Sequence, residues 1–291
     1  MTTGPHGRLT DADVSRLETL ARRVRRRVLE TVHHAGAGHV GGPLSVVEIL
    51  VALYFHELRI DPSQPVWPDR DRLVFSKGHA APALYAVLAE RGYFPPQELE
   101  TFDRLDSRLQ AHPDMTALPG LDMSTGSLGQ GLSVGVGMAL AARLAGATWR
   151  THVVIGDGES QEGQVWEAAF VAARYGLDSL VAVLDWNHLQ QYGWHVPGRP
   201  RAERVDPALD AAVDPAARWR ATGWHVVEVD GHDVRELVGG LAESRATRGR
   251  PTILVARTVK GRGVSFMEGN YLWHSKTVTD EDLRLALEEL R

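Results

Sequence analysis

The chain has 291 residues, 43% hydrophobic and 24% charged, the balance of an ordinary folded protein rather than of a disordered chain or a rod. A net charge of -5 with no separate basic block excludes the electrostatic footprint of a nucleic-acid binder, and the absence of cysteine excludes disulfides, thiolate metal sites and cysteine nucleophiles. No apolar run reaches the ~18 residues of a spanning helix and the N-terminus lacks the order of a signal peptide, so a cytoplasmic chain with no membrane partner is expected.

Residues 1–8 are rich in Gly, Pro and Thr and are expected to be loose; 9–291 then reads as one domain. Thr10-Asp11 forms a helix N-cap ahead of an amphipathic stretch running from Val14 to Leu29, with the Arg22 to Arg27 run as its solvated face. A glycine-dense loop, Gly36 to Gly42, precedes an apolar helical run from Ser45 to Tyr54. Asp71 to Ser76 reads as a short strand ending in Lys77-Gly78-His79, followed by a helix from about Pro82 to Gly92. Thr125 to Gly131 opens a helix of small residues, Val134 to Ala141, whose composition implies tight packing.

Four further strands are expected, each ending in polar or glycine-bearing residues: Thr151 to Ile155 before Gly156-Asp157-Gly158, Leu180 to Asp185 before Trp186-Asn187, Trp224 to Val229 before Asp230-Gly231-His232-Asp233, and Thr252 to Thr258 before Val259-Lys260-Gly261. Helices are expected from Gln164 to Tyr175 and from Asp280 to Leu290. Apolar strands alternating with helices predict an α/β, doubly wound, mostly parallel sheet with helices on both faces.

In such sheets ligands bind beyond the carboxyl ends of the strands. Asp157 and Asn187 close successive strands 30 positions apart with one helix between them, which brings both to one sheet edge. A carboxylate, an amide oxygen and a nearby backbone carbonyl suit a hard cation that keeps part of its shell for a diphosphate, with magnesium the natural choice and calcium or manganese able to take the same ligands. Gly158 lets the backbone approach an anion, and the following helix start offers free N–H groups. An isolated Gly-Asp-Gly is more often a simple turn. Among 32 basic residues only Lys77, Lys260 and Lys276 are lysine, so the two that follow strand ends are candidates for places that want a compact ammonium.

The Gly156-Asp157-Gly158 and Asn187 frame, with Glu162-Gly163-Gln164-Val165-Trp166-Glu167-Ala168 beside it, resembles the thiamine-diphosphate motif of the transketolase family. Four of the thirteen histidines lie in motifs that match it: Gly38-His39-Val40-Gly41, Ser76-Lys77-Gly78-His79, His112-Pro113-Asp114 and Trp273-His274-Ser275-Lys276. The resemblance implies a thiamine-diphosphate-binding fold, with Asp157, Asn187 and the Leu189 carbonyl as metal ligands. It implies that His39 and His274 contact donor and acceptor carbonyls or hydroxyls, His112 a substrate hydroxyl, and His79 the diphosphate and substrate. Gly126-Ser127-Leu128 would touch the cofactor, as would Gly158 and His274; Lys77 and Lys260 would lie near the diphosphate, and Glu162 would link paired sites, although it also suits a plain helix start. His33, His34, His225 and His232 are explained adequately as satisfied surface or core positions.

The resemblance runs from about residue 16 to the C-terminus, whereas a whole transketolase continues for several hundred residues. It therefore implies the N-terminal subunit of a split transketolase, transferring a two-carbon ketol unit from ketose to aldose. A C-terminal subunit would supply the pyrimidine-binding domain and activating glutamate, in an α2β2 assembly. The rivals are a specialised carbon-transfer enzyme, a non-catalytic regulatory subunit, and another thiamine enzyme such as a 1-deoxyxylulose-phosphate synthase-like protein or a 2-oxo acid decarboxylase α subunit. Trp273-His274 and Lys260-Gly261-Arg262-Gly263 favour transketolase, while the stretch 192–204 departs from the family pattern and bears on the substrate.

Overall fold

The computed structural model describes residue 7, residues 9–191 and residues 214–291; the 192–204 stretch and most of the segment expected to be loose lie outside them. Five parallel strands, β1 (Arg72–Phe75), β2 (Thr151–Gly156), β3 (Leu180–Trp186), β4 (His225–Asp230) and β5 (Thr252–Arg257), form one sheet in the order β1-β2-β3-β5-β4. The chain winds outward through β1, β2 and β3, passes to the β4 edge, and returns to place β5 beside β3. The end of β3 and β5 is therefore where the winding reverses, and crevices open at such points.

Side chains alternate across the strands, so each strand feeds two cores. Leu180, Ala182 and Leu184 of β3 pack with helices α5 (Gln130–Leu144), α6 (Gly163–Arg174) and α7 (Pro215–Ala221). Val181 and Val183 face the opposite way, toward α1 (Asp11–Ala35), α3 (Val47–Ala52), α4 (Ala81–Arg91) and α8 (Val234–Ala246). The remaining helices are the short α2 (Gly41–Ser45) and α9 (Asp280–Glu289). Among the described residues no helix is long and apolar enough to cross a membrane.

Helix α1 begins as expected, with Thr10 and Asp13 in a reciprocal capping box: Asp13 N donates to Thr10 Oγ1 at 3.2 Å and Thr10 N to Asp13 Oδ2 at 3.1 Å. Its arginine run corrects the expectation of a solvated face. Arg25 is buried and pairs with buried Glu48, and Arg27 is partly buried against Glu90. Burial alone would push the Glu48 carboxyl up; Arg25 and His232 instead hold it down to about 2. The apolar run expected as one helix is also divided. Val46, at φ −95° and ψ 1°, separates α2 from α3, and Leu53–Glu57 widens into a π-turn that turns Glu57 inward onto Arg245. Helices α7 and α8 were not expected; Asp214 and Asp233 cap them by accepting backbone N–H bonds.

The small residues of α5 serve the close approach expected of them. A Cβ at Gly135 would stand 2.4 Å from Val153 Cγ2, whereas one at Gly137 would meet nothing within 4 Å. Gly135→Ala is expected to lose about 1–3 kcal/mol of stability by overpacking, and Gly137→Ala to gain roughly 0.5–1 kcal/mol from helix propensity and reduced unfolded-state freedom. Urea unfolding of the two variants checks the opposite signs.

Candidate active site

Beyond the carboxyl ends of the strands lies a cavity of about 560 Å³. The segments after β1, β2, β3 and β5 all contribute to its walls, together with the loop before α2 and the 3-10 turn Tyr271–His274. The β2–β3 register pairs Gly156 with Asp185, so Asp157 and Asn187 leave the carboxyl ends of neighbouring strands one residue out of step, and both line the cavity. Of the residues singled out from the sequence, His39, Lys77, His79, Gly126, Leu128, Asp157, Gly158, Glu162, Asn187, Leu189, Lys260 and His274 line this cavity. Ser127 and His112 do not; His112 is exposed, with its ring 6.4 Å from that of His39 and packed on Gly126. The φ of +151° at Gly126, with a Cβ there 3.0 Å from His112 Cδ2, reserves the position for glycine.

The organising group is Asp185, the last buried residue of β3. Its carboxylate accepts from Lys77 Nζ, from Thr258 Oγ1 and, at 2.7 Å, from Ser45 Oγ. Burial alone would raise its pKa; the Lys77 ammonium and these hydrogen bonds hold it below the usual carboxylate range. Ser45 Oγ in turn accepts from Asn187 Nδ2 at 3.2 Å, which fixes which end of the Asn187 amide is oxygen. Asn187 Oδ1 accepts from Leu189 N at 3.1 Å across His188, which adopts a left-handed φ of 62° with its ring centroid 4.3 Å from that of Trp186. Sequence reasoning assigned no role to Asp185, Ser45 or His188. A carboxylate at the end of an apolar strand was the available signal for Asp185; nothing local marks the other two.

The Asp157 carboxylate has one hydrogen-bond donor among the described residues, Gly158 N at 2.7 Å. Burial first, and the neighbouring Asp185 carboxylate second, push it up to about 7. Among the described residues no cluster of three His, Cys, Asp or Glu could hold a metal, so a cation here would rest on one carboxylate with neutral oxygens. An under-satisfied carboxylate, an oriented amide and a backbone carbonyl in one cavity fit a hard cation. A Cβ at Gly158 would lie 3.0 Å from Gln190 Cγ, so the turn after β2 fits only with glycine unless Gln190 moves. Beneath it, buried Glu159 accepts from Gly156 N and Gly129 N, both at 2.9 Å, and from Ser76 Oγ, tying the turn to the start of α5.

Three imidazoles close the cavity. Ring centroids of His39 and His79 are 5.2 Å apart, His39 and His274 4.9 Å, and His79 and His274 5.2 Å. Burial and neighbouring positive groups depress all three: His39 to about 4, His274 to about 3 and His79 to about 2. They are neutral at pH 7. Lys260 donates to Gln190 O at 2.9 Å and contacts His274 Nδ1 at 2.8 Å. An ammonium only donates, so Nδ1 of His274 is the acceptor and Nε2 carries the proton. Burial lowers Lys260 itself to about 8.

The discounted histidines are satisfied as expected. His33 pairs with Asp280, His34 with Arg104 and His225 with Glu243, while His232 is held between Glu48 and Val259 N.

A parallel sheet that gathers a Gly-Asp-Gly turn, an asparagine and a histidine cluster at its switch point defines a thiamine-diphosphate-binding α/β fold. The pattern described as "Transketolase, thiamine diphosphate binding domain" matches residues 17–290. The 6-deoxy-6-sulfo-D-fructose transketolase subunit SqwG of Clostridium sp. (strain MSTE9) is 44% identical over 94% of this chain and 96% of its own length. An apulose-4-phosphate transketolase subunit of Phocaeicola vulgatus is 40% identical over 95% of this chain and 94% of its own. Transketolase from Leishmania mexicana superposes with a TM-score of 0.86 at 30% identity, covering 94% of this chain and 41% of that one. The chain belongs to the transketolase family, as a transketolase-type transferase subunit whose fold is the thiamine-diphosphate-binding domain. It spans about two fifths of the solved transketolase that it matches.

Two measurements check the site. Ser45→Ala frees the Asn187 amide and is expected to weaken any divalent-cation binding beside Asp157 about 10- to 100-fold, read by manganese titration in electron paramagnetic resonance. The three depressed histidines have folded pKa values below the unfolded value of 6.5. Their contribution to stability is complete above pH 6.5 and is lost as pH falls toward and through those folded values. Thermal midpoints are expected to decline from pH 6.5 to 5, and less steeply in His39→Asn.

Proposed function

We propose that this chain is the diphosphate-binding subunit of a two-component transketolase, moving a two-carbon ketol unit from a ketose donor to an aldose acceptor. The observation that carries the reading is the meeting of Asp157, Asn187 and Leu189 with His39, His79 and His274 in one cavity. Subunit relatives matched over nearly their whole length support a second chain that brings the pyrimidine-binding domain and its activating glutamate. We read residues 9–291 as one domain, the assembly as α2β2 with exposed Glu162 facing the paired site, and its place as the cytoplasm; sedimentation of the reconstituted complex checks the stoichiometry.

Thiamine diphosphate, when bound, supplies the carbanion chemistry that breaks and makes the carbon–carbon bond. Asp157, the Asn187 amide oxygen and the Leu189 carbonyl would hold magnesium against the diphosphate. Lys260 supplies positive charge beside them, whereas the Lys77 ammonium is committed to Asp185 and acts by fixing that carboxylate. Gly126 and Leu128, both in the lining, would touch the cofactor, and Ser127 between them stands outside the lining. His274 offers an Nε2–H donor to a sugar oxygen. His39, neutral in the cavity, can accept a hydroxyl proton and return it, while His79, whose pKa is lower still, serves beside it as a hydrogen-bond partner. His112, outside the lining, would meet a distal hydroxyl of the substrate.

Reconstitution with the partner subunit, thiamine diphosphate and magnesium is expected to give ketol transfer with a member of a ketose panel; pyruvate turnover in its place would favour another thiamine enzyme. Asp157→Ala is expected to abolish magnesium-dependent cofactor binding, read by calorimetry. His39→Ala is expected to keep binding and lower kcat by ~10²–10⁴, and His112→Ala to act chiefly on KM. Normal binding and turnover by Asp157→Ala would overturn the assignment.

A further inference from the structure

Lys260 enters the cavity from the segment after β5; its own carbonyl accepts from Gly269 N, and Gly261 N donates to Gly41 O, both at 2.9 Å, and the peptide groups flanking these, Val259 N and Arg262 O, are held from behind. Val259 N donates to His232 Nε2 at 2.8 Å, and the Arg262 carbonyl accepts from Arg25 Nε at 3.0 Å. Both holders meet on Glu48, which accepts from Arg25 Nη2 at 2.6 Å and pairs with Arg25 Nη1 at 2.6 Å and His232 Nδ1 at 3.0 Å. The three residues come from α1, α3 and the turn after β4, and none of them lines the cavity.

Donor and acceptor roles in this cluster admit one arrangement. A backbone N–H only donates and a carboxylate only accepts, so His232 presents its Nε2 lone pair to Val259 and its Nδ1–H to Glu48. Arg25 uses both ends of its planar fork on Glu48 and keeps Nε for the Arg262 carbonyl, which lysine cannot do. The segment is packed closely around these grips: at Gly263, φ +91°, a Cβ would lie 3.0 Å from Arg25 Cδ.

We infer that Arg25, Glu48 and His232 are positioning residues that set the height of the 258–263 segment, so that the Lys260 ammonium reaches His274 Nδ1 and the Gln190 carbonyl together. The inference rests on Lys260 and His274 being site residues. Stability alone does not call for such a cluster, because a buried ion pair can be replaced by apolar groups of similar volume without loss. Apolar groups cannot hold the N–H and C=O that bracket Lys260. Its two contacts, at 2.8 and 2.9 Å, leave little room for movement at the base of the side chain before one is broken.

The test is ¹⁵N NMR of the histidine rings in the full chain without cofactor, which is independent of whether the transketolase reading holds. The wild-type protein is expected to show His274 as a single tautomer with Nδ1 unprotonated. His232→Phe keeps a ring and removes the acceptor; it is expected to turn the His274 signals into a mixture of tautomers. Arg25→Lys, which retains charge opposite Glu48 but gives up the Arg262 carbonyl, is expected to do the same and decides the matter if His232→Phe does not fold. Arg27→Met removes the Glu90 pair from the same helix and is expected to lower the thermal midpoint while leaving the His274 signals unchanged. Unchanged His274 signals in a folded His232→Phe or Arg25→Lys, or an equal change in Arg27→Met, would overturn the inference.

Discussion

The site depends on one buried carboxylate. Asp185 sits at the end of the central strand β3 with no solvent to stabilise its charge, and it is satisfied by groups from three other segments: Lys77 after β1, Ser45 at the end of α2 and Thr258 after β5. A buried charge is tolerable only when it is paired and hydrogen-bonded. Satisfying this one therefore draws together the loops that the sheet order brings near it. Through Ser45 the same carboxylate reaches the Asn187 amide and sets its orientation. By occupying the Lys77 ammonium it also leaves Asp157 with little compensating charge, the condition that makes a cation welcome there.

On this base the cavity divides into two chemistries. One wall carries the oxygens of Asp157, Asn187 and Leu189, suited to a hard cation and a diphosphate. The other carries three imidazoles kept neutral by burial and by nearby ammonium groups, so they exchange hydrogen bonds with hydroxyls and carbonyls in either direction. Lys260 stands between the two, bonded to His274 on one side and to the Gln190 carbonyl on the other. A displacement of that lysine would be felt by both walls.

The strands and their order of succession were legible because buried parallel strands are short apolar runs punctuated by glycine and polar residues; each of the five lies within a residue or two of its expected bounds. Lys77, Asp157, Asn187 and Lys260 were legible as polar residues just after strand ends, and of the site residues that the family resemblance implied all but Ser127 and His112 reach the cavity lining. What misled was local: Arg22 to Arg27 has the composition of a wet helix face, yet Arg25 is turned inward to a carboxylate 23 positions away. The run from Ser45 to Tyr54 has the hydropathy of one helix, yet Val46 breaks it and a π-turn ends it. Neither departure has a signature in the neighbouring residues: Arg25 meets Glu48 and Glu57 at the end of the π-turn meets Arg245, partners far along the chain.

The sequence by itself determined the alternation of strand and helix, the glycines where backbone must pass closely, and the residue types available at the strand ends, since these follow from periodicity and from side-chain chemistry. The tertiary structure alone decided which lysine is spent on a buried carboxylate and which faces the cavity, which nitrogen of His274 bears the proton, and which arginine of α1 is buried. Those outcomes depend on donor and acceptor distances between residues far apart in the chain, which the fold sets and no local pattern records.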